Sequence, residues 1–162
     1  MKKLSYFLSA SILLSILLSV GCKPNDTPGL SEEEQQKALL TKSWGVSTVT
    51  LGGEGDVTAG FTDFVLTVES TFSYTSTGAT RTPQPWPGSG TFAFDLNTDG
   101  TANVNKILRE AGSPNELPMT LQMNADGSAM TLSFTFTEGT HTSGGGRTEA
   151  ISGAWVFDFI AK

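Results

Sequence analysis

The feature that most constrains the fold is a period-two alternation of apolar and polar side chains after residue 43. Successive side chains of a β-strand point to opposite faces, so this period predicts strands with one buried and one solvated face. The clearest run sets Met130, Leu132, Phe134 and Phe136 against Thr131, Ser133, Thr135 and Thr137. Similar runs lie near residues 64–68, 72–74, 91–96, 117–123 and 155–159. In the first run, Trp44, Val46 and Thr48 are predicted to share one face.

Turn-forming residues separate these runs, and no helical pattern intervenes. Residues 124–128 read Asn-Ala-Asp-Gly-Ser, a hairpin signal, and the glycines of residues 52–56 predict another turn. We interpret the proline-rich residues 83–90 as a stiff exposed loop. Residues 105–111 fit a short strand or a helical turn, of which the strand is favoured. About eight antiparallel strands result, and this all-β pattern is typical of a barrel or a sandwich.

One short helix is predicted ahead of the first strand. Ser31 and Glu34 have the spacing of a capping box, in which the Ser side chain accepts from the backbone three residues on. The acidic residues of the first turn also suit the positive end of the helix dipole. Leu39 and Leu40 then supply an apolar edge, so we expect a helix over residues 31–41.

The N-terminus has the layout of a secretory signal peptide, with basic residues 1–3 before an apolar run over residues 4–20. That run is short for a transmembrane helix. Residues 19–22 read Ser-Val-Gly-Cys and resemble the lipobox of bacterial lipoproteins, which implies that Cys22 is acylated and becomes the mature N-terminus. The alternative is an ordinary secretory signal with a chance cysteine. Lys23, rather than Asp, follows the cysteine, which resembles the pattern sent to the outer membrane of the cell envelope.

These features divide the chain into a signal peptide (1–21), a flexible tether (22–30) and one domain (31–162). Removing Lys2 and Lys3 with the signal leaves 8 basic and 16 acidic residues, a net charge of -8. One Cys and one His exclude an intrachain disulfide and a Cys/His zinc site. An acidic chain without a basic stripe is a poor nucleic-acid binder. We expect a monomer whose partners are the membrane, through its lipid anchor, and a small apolar molecule.

The mature chain resembles the lipocalin-like lipoproteins of many Bacteroidota. The matching features, in order, are residues 39–44 (Leu-Leu-Thr-Lys-Ser-Trp), 56–58, 64–68, 71–74, 86–94, 146–147 and 153–157. The resemblance implies an antiparallel up-and-down barrel of eight strands. Lys42 stands where lipocalins have the Gly of their Gly-x-Trp start, and Arg147 lies before the last strand, so the family's stacking of Arg on Trp is not assigned to it.

The inward aromatic residues are the candidate ligand site, because calycin barrels bind apolar molecules in their interiors. The alternative is a solid core, since side chains can fill a barrel of eight strands. A protein with a solid core would instead present its loops to an envelope protein or glycan partner. The predicted ligand-binding residues are Phe64, Phe72, Phe92, Phe94, Phe134, Phe136 and Trp155, with Trp86 at the mouth.

Two further motifs bear on chemistry. Residues 95–100 match the first half of an EF-hand loop, with Asp95, Asn97 and Asp99 as candidate calcium ligands. Lys106 stands where that loop requires a bidentate Glu, and Asp99 with Gly100 also suits a plain tight turn. His141 lies in a Gly-rich stretch without a nucleophile motif, and the acids of the strands fall on their wet faces. We therefore expect no enzymatic activity and no cofactor.

Overall fold

The computed structural model describes residues 29–137 and 151–162, and strands dominate them. The strands are β1 (Ser43–Leu51), β2 (Gly55–Asp56), β3 (Val65–Val68), β4 (Ser73–Thr77), β5 (Ser89–Leu96), β6 (Ala102–Arg109), β7 (Leu117–Met123), β8 (Ala129–Phe136) and β9 (Gly153–Ala161). One α-helix, α1 (Glu32–Leu40), precedes them in these residues, and a short 3₁₀ turn spans Thr58–Gly60.

Eight of the strands close into an antiparallel barrel. Each strand from β3 to β8 pairs with the one that follows it, and β1 pairs with both β3 and β9. The closing β1–β9 ladder runs from Trp44 opposite Ala161 to Leu51 opposite Trp155. The two-residue β2 pairs with β1 alone. This closure confirms the predicted all-β up-and-down barrel of eight strands and excludes the open sandwich that the strand pattern had also allowed.

The phase of the first strand was predicted wrongly. The β1–β9 register shifts between Val46 and Thr48, which marks a bulge. Beyond it Val49 and Leu51 are buried, whereas Thr48 is exposed. An extra residue in one strand exchanges the faces of everything that follows, so Thr48 turns to solvent although Trp44 faces the core.

α1 forms as predicted and lies at one end of the barrel. The Ser31 hydroxyl accepts from the Glu34 backbone N–H at 3.2 Å, and Glu34 Oε2 accepts from the Ser31 N–H at 2.8 Å. Lys42, just after the helix, donates to the Gly127 carbonyl of the β7–β8 turn at 3.0 Å. We call the end of the barrel that carries α1 and the β7–β8 turn the helix end. The opposite end, which carries the β4–β5 connection, is the loop end. No helix of the described residues is long and apolar enough to cross a membrane.

The β4–β5 connection at the loop end differs from the exposed loop that its prolines suggested. Pro85 and Trp86 are both buried, and Trp86 is fully inaccessible to solvent. Trp86 is therefore not a residue of an open mouth. The reason is tertiary: the β-strands supply the walls of the loop end, and a large indole from the connection removes apolar surface from water by filling the space between them.

Candidate functional site

The candidate site is the barrel interior, whose predicted lining residues are all buried. Their exposed fractions range from 0% to 9%. The residues are Phe64, Phe72, Phe92, Phe94, Phe134, Phe136, Trp155 and Trp86. They belong to one core cluster, so the structure brings the whole predicted set together. Their burial agrees with the prediction, while their role in ligand binding stays a prediction.

Trp86 lies at the centre of this aromatic cluster. Its ring centroid is 5.8 Å from those of Tyr74 and Phe157 and 5.9 Å from that of Phe134. These three contacts and the one with Phe92 are edge-to-face, with interplanar angles of 82° to 89°. Such geometry places ring edges against ring faces and is the favoured arrangement of aromatic pairs. A side chain from a connecting loop thus fills the part of the barrel interior that these aromatic rings surround.

Hydrogen bonds from two strands hold this connection in the barrel. Arg109 Nη1 of β6 donates to the Pro85 carbonyl at 2.8 Å, and the Ser76 hydroxyl of β4 donates to the Pro87 carbonyl at 2.7 Å. The Ser76 N–H also donates to the Gly88 carbonyl at 2.9 Å. We call residues 85–87 the plug segment. Its backbone carbonyls meet donors of the barrel wall, and its tryptophan fills the interior.

The buried charge beside the plug segment belongs to Arg109, whose side chain is fully inaccessible to solvent. Its guanidinium carbon lies 5.7 Å from the Trp86 ring, within cation–π range. Burial lowers the pKa of Arg109, while Tyr74 and Glu110 raise it. Burial raises the pKa of the Tyr74 hydroxyl above its ordinary value, so this phenol is neutral at physiological pH.

The three tryptophans differ in how their indole N–H groups are satisfied. Trp44 donates to the Leu40 carbonyl at 3.0 Å, and Trp155 donates to the Ile151 carbonyl at 2.7 Å. Each partner lies four residues earlier in the chain. Within the described part of the chain, the Trp86 N–H and the Tyr74 hydroxyl are buried without a hydrogen-bond partner. Buried polar groups usually find partners, so two such groups near the plug segment mark this region as unusual.

Gly90 lets Tyr74 and Glu110 approach the strand closely. A Cβ at position 90 would overlap both the Tyr74 hydroxyl and Glu110 Oε1. Glu110 accepts from the Thr91 backbone N–H at 2.9 Å, and its own backbone has a positive φ of 55°. A carboxylate therefore stands at the edge of the same region as the Arg109 cation.

Arg109 and its contact with the plug segment were missed in the sequence. A signal was present, because Ile107 is an inward residue of a strand and Arg109 follows it two positions later on the same face. Charged residues are rarely buried, so Arg109 reads from the sequence as a strand end in solvent.

The calcium candidates lie in the β5–β6 turn and bond within it. Asp99 Oδ1 accepts from the Thr101 N–H at 2.9 Å, and the Asn97 amide donates to the Thr101 hydroxyl at 3.0 Å. Asp95 Oδ1 accepts from the Leu96 N–H at 2.8 Å. The residues present in the structure contain no cluster of three acidic, His or Cys side chains that could hold a metal ion. These bonds are those of a tight turn, the preferred interpretation of the sequence, and a calcium site at these residues stays an untested alternative.

The fold defines the class of protein: a closed antiparallel β-barrel of eight strands, consistent with a lipocalin-like fold that could bind ligands. No family model matches the chain, and no curated protein matches its sequence. Cys22, His141 and Arg147 lie outside the described residues.

Proposed function

We propose that this protein is a lipid-anchored envelope lipoprotein whose barrel binds a small hydrophobic or amphipathic molecule, without catalysis, in the space that the plug segment occupies. Trp86 supports this function because it comes from the β4–β5 connection and not from a strand. The strands build the walls of the barrel, but a connecting loop fills its centre. A loop can leave the interior while the strand ladders stay intact, whereas an inward strand residue cannot.

The energetic requirement on the ligand follows from Trp86. A buried aromatic side chain removes roughly 150–250 Å² from water, which corresponds to about 4–6 kcal/mol at ~25 cal/mol per Å². Opening the plug segment costs about this much unless the ligand restores the burial. Since each 1.4 kcal/mol is tenfold, this opening would weaken the apparent affinity about 10³- to 10⁴-fold relative to an empty barrel. Only a ligand that fills the space of the Trp86 indole would bind.

The N-terminus would attach the protein to the membrane. Lipidation at Cys22 and a tether over residues 22–30 would attach the domain to the outer membrane at the helix end, because residue 31 caps α1. Nine tether residues reach at most about 30 Å. The plug segment would then lie at the end of the barrel farther from the attachment point.

Native mass spectrometry of the full chain purified from membranes of its own cells tests both parts. We expect an acylated Cys22, a bound small molecule that denaturation releases, and loss of the acyl mass in Cys22→Ser.

The double variant Trp44→Phe/Trp155→Phe leaves Trp86 as the one tryptophan. Its fluorescence should become accessible to acrylamide when the ligand is loaded. No bound molecule together with no change in Trp86 quenching would reject ligand binding.

The filled interior favours a second candidate: a lipoprotein with a solid core that presents its loops to an envelope protein or glycan. Phe134 and Phe157 stack with centroids 5.9 Å apart, and Trp86 closes the space beside them. This candidate expects cross-linked partners and an interior that admits no probe. The quenching experiment separates the two, because a solid core keeps Trp86 protected at every ligand concentration.

A further inference from the structure

We propose that the helix end is a docking surface for a bilayer of zwitterionic phospholipid, on which the barrel stands upright; this rests on the proposed lipid anchor. Among the described residues, the large apolar side chains that stay exposed are those of Leu30, Leu96 and Ile160, by 61%, 64% and 54%. Leu30 precedes the N-cap of α1, Leu96 ends β5, and Ile160 is next to last in β9, so all three lie at the helix end. The described turns of the loop end expose no side chain of this kind.

Leu96 and Ile160 lie on opposite sides of the barrel. In the ring of eight strands, β5 is four strands away from β9 in either direction. A partner at the side of the barrel would therefore reach one of the two residues, whereas a flat surface across the helix end meets both. Leu30 adds a third contact near β5, because the first turn of α1 and the β5–β6 turn line one groove. A bilayer offers such a flat surface, with an apolar layer beneath its head groups.

Each of these side chains is exposed for a local reason. An apolar residue before the N-cap often packs on the fourth helical residue, but here that residue is Gln35, whose amide donates to the Leu30 carbonyl at 2.6 Å. Leu96 lies beyond the buried Phe94, past a register shift in the β5–β6 ladder. The cross-strand neighbours of Ile160 are a glycine and an alanine, which are too small to cover it. The described fold therefore leaves this apolar area open to a partner.

The tether brings the helix end, and not the loop end, to the membrane. From Cys22 to Leu30 the chain runs eight residues, and a coil of this length spans roughly 15 Å on average. The nine residues of β9 alone extend about 30 Å. The loop end would therefore reach the bilayer only on an inverted barrel with a stretched tether. Once Cys22 is anchored, docking of the helix end is intramolecular, at an effective concentration on the order of millimolar, so a few apolar side chains suffice.

The charges at the helix end select the kind of lipid. Lys162 lies beside Ile160, because a Cβ on its strand neighbour Gly45 would meet Lys162 Cε at 2.7 Å. A lysine stem can lie along apolar surface while its ammonium stays among phosphate groups. The acidic side chains at this end outnumber its lysines, which are Lys37, Lys42 and Lys162. The acidic residues are Glu32, Glu33, Glu34, Glu69, Asp99 and Asp126. A bilayer rich in anionic lipid would therefore repel this end, whereas a zwitterionic one would not.

The test uses the acylated protein purified from its own cells, in vesicles of phosphatidylethanolamine and phosphatidylcholine, with a nitroxide on one introduced cysteine at a time. Thr98→Cys reports on the β5–β6 turn next to Leu96, and Ala125→Cys reports on the β7–β8 turn next to Ile160. Asn115→Cys is the matched control in the β6–β7 turn at the loop end, and all three labelled positions are exposed. On vesicles, we expect collisions with an aqueous nickel chelate to fall at least threefold at residues 98 and 125. Collisions at residue 115 should stay unchanged.

Two variants and a change of lipid show whether the apolar side chains cause this protection. Leu96→Ser/Ile160→Ser should restore the collisions to at least half of their value without vesicles. Val156→Ser, an outward position of β9 opposite Ser133, is the control and should leave the labels protected. Replacing half of the lipid with phosphatidylglycerol at low salt should weaken the protection at residues 98 and 125, because the acidic helix end is then repelled.

Equal collisions at residues 98, 125 and 115 on vesicles would overturn the docking surface. Protection of residue 98 or 125 alone would also overturn it, because the barrel would then be tilted, and so would protection that survives Leu96→Ser/Ile160→Ser. The mass of the N-terminus, measured in the same samples, tests the anchor separately. An acylated Cys22 with unprotected labels rejects docking and leaves the anchor standing. Protected labels in Cys22→Ser, added to preformed vesicles, support docking without the acyl anchor.

Discussion

Arg109 donates a hydrogen bond to the backbone carbonyl of Pro85 at 2.8 Å inside the barrel. A buried cation of one strand thereby fixes the loop that carries Trp86. The guanidinium also lies over the Trp86 ring. The position of the loop and the packing of Trp86 therefore both depend on the buried charge of Arg109. This relationship makes Arg109 the residue from which stability and access to the interior can both be tested.

Arg109→Ala should destabilise the protein by about 2–4 kcal/mol, because it leaves the Pro85 carbonyl without this donor and opens a cavity. Urea unfolding followed by circular dichroism measures the change. Arg81→Ala is the matched control. Arg81 also lies over a tryptophan, Trp155, but it is partly exposed and pairs with Glu54 at 2.9 Å, so we expect a loss below about 1 kcal/mol. Equal losses in the two variants would contradict the structural role given to Arg109.

Replacement of each tryptophan by Phe should reveal the difference in their N–H groups. Trp44→Phe and Trp155→Phe each remove a buried hydrogen bond, to the carbonyls of Leu40 and Ile151, which adds about 0.5–1.5 kcal/mol to the cost of the smaller ring. The Leu40 carbonyl keeps the Lys42 backbone N–H as a donor at 2.8 Å. Trp86→Phe breaks no N–H bond to a described residue and should be the mildest of the three. Thermal unfolding of the set gives the order. A Trp86→Phe variant as damaged as the other two would show that its indole N–H has a strong partner.

Gly90→Ala should destabilise the protein by about 1–3 kcal/mol, because the added methyl overlaps the Tyr74 hydroxyl and the Glu110 carboxylate. Gly88→Ala is the control two residues earlier, since a Cβ there meets no atom within 4 Å. Its unfolding midpoint should stay within experimental error of the wild type. Equal midpoints for the two variants would mean that Tyr74 and Glu110 do not pack against Gly90.

Stability should fall in acid through the carboxylates of the caps and turns. Hydrogen bonds to the Ser31 backbone and side chain lower the pKa of Glu34 below 4.5, and bonds to Thr101 lower that of Asp99 below 3.8. A carboxylate whose pKa is lower in the folded than in the unfolded state stabilises the fold. That contribution is complete above the pKa of the unfolded state and is lost as pH falls through the pKa of the folded state. Stability should therefore be flat above about pH 5 and drop below pH 4.

Urea midpoints between pH 6 and pH 2.5 measure this dependence. Glu34→Gln and Asp99→Asn should each flatten the acid limb, because the substituted side chain no longer titrates. Glu69→Gln is the comparison variant, since Glu69 lies in the turn before β4 and its side chain is exposed. An acid limb unchanged in both Glu34→Gln and Asp99→Asn would exclude these carboxylates as its source.

The sequence was sufficient for features that depend on local spacing. The capping box at Ser31 and Glu34 specified α1, and the alternation of β8 specified its inward face, because both patterns involve neighbours in the chain. The same alternation correctly predicted the burial of the aromatic residues that the strands contribute to the candidate site. It failed at Thr48, where a bulge that depends on pairing with β9 exchanged the faces of β1.

Tertiary structure alone decided closure, the position of Trp86 and the burial of Arg109. Closure joins β1 to β9, more than 100 residues apart in the sequence, and no local pattern distinguishes a closed barrel from two packed sheets. Prolines around Trp86 indicate an irregular backbone but not the direction in which it folds. That direction depends on the space that eight strands enclose and on the donors that Ser76 and Arg109 present to it, and both exist only once the barrel has formed.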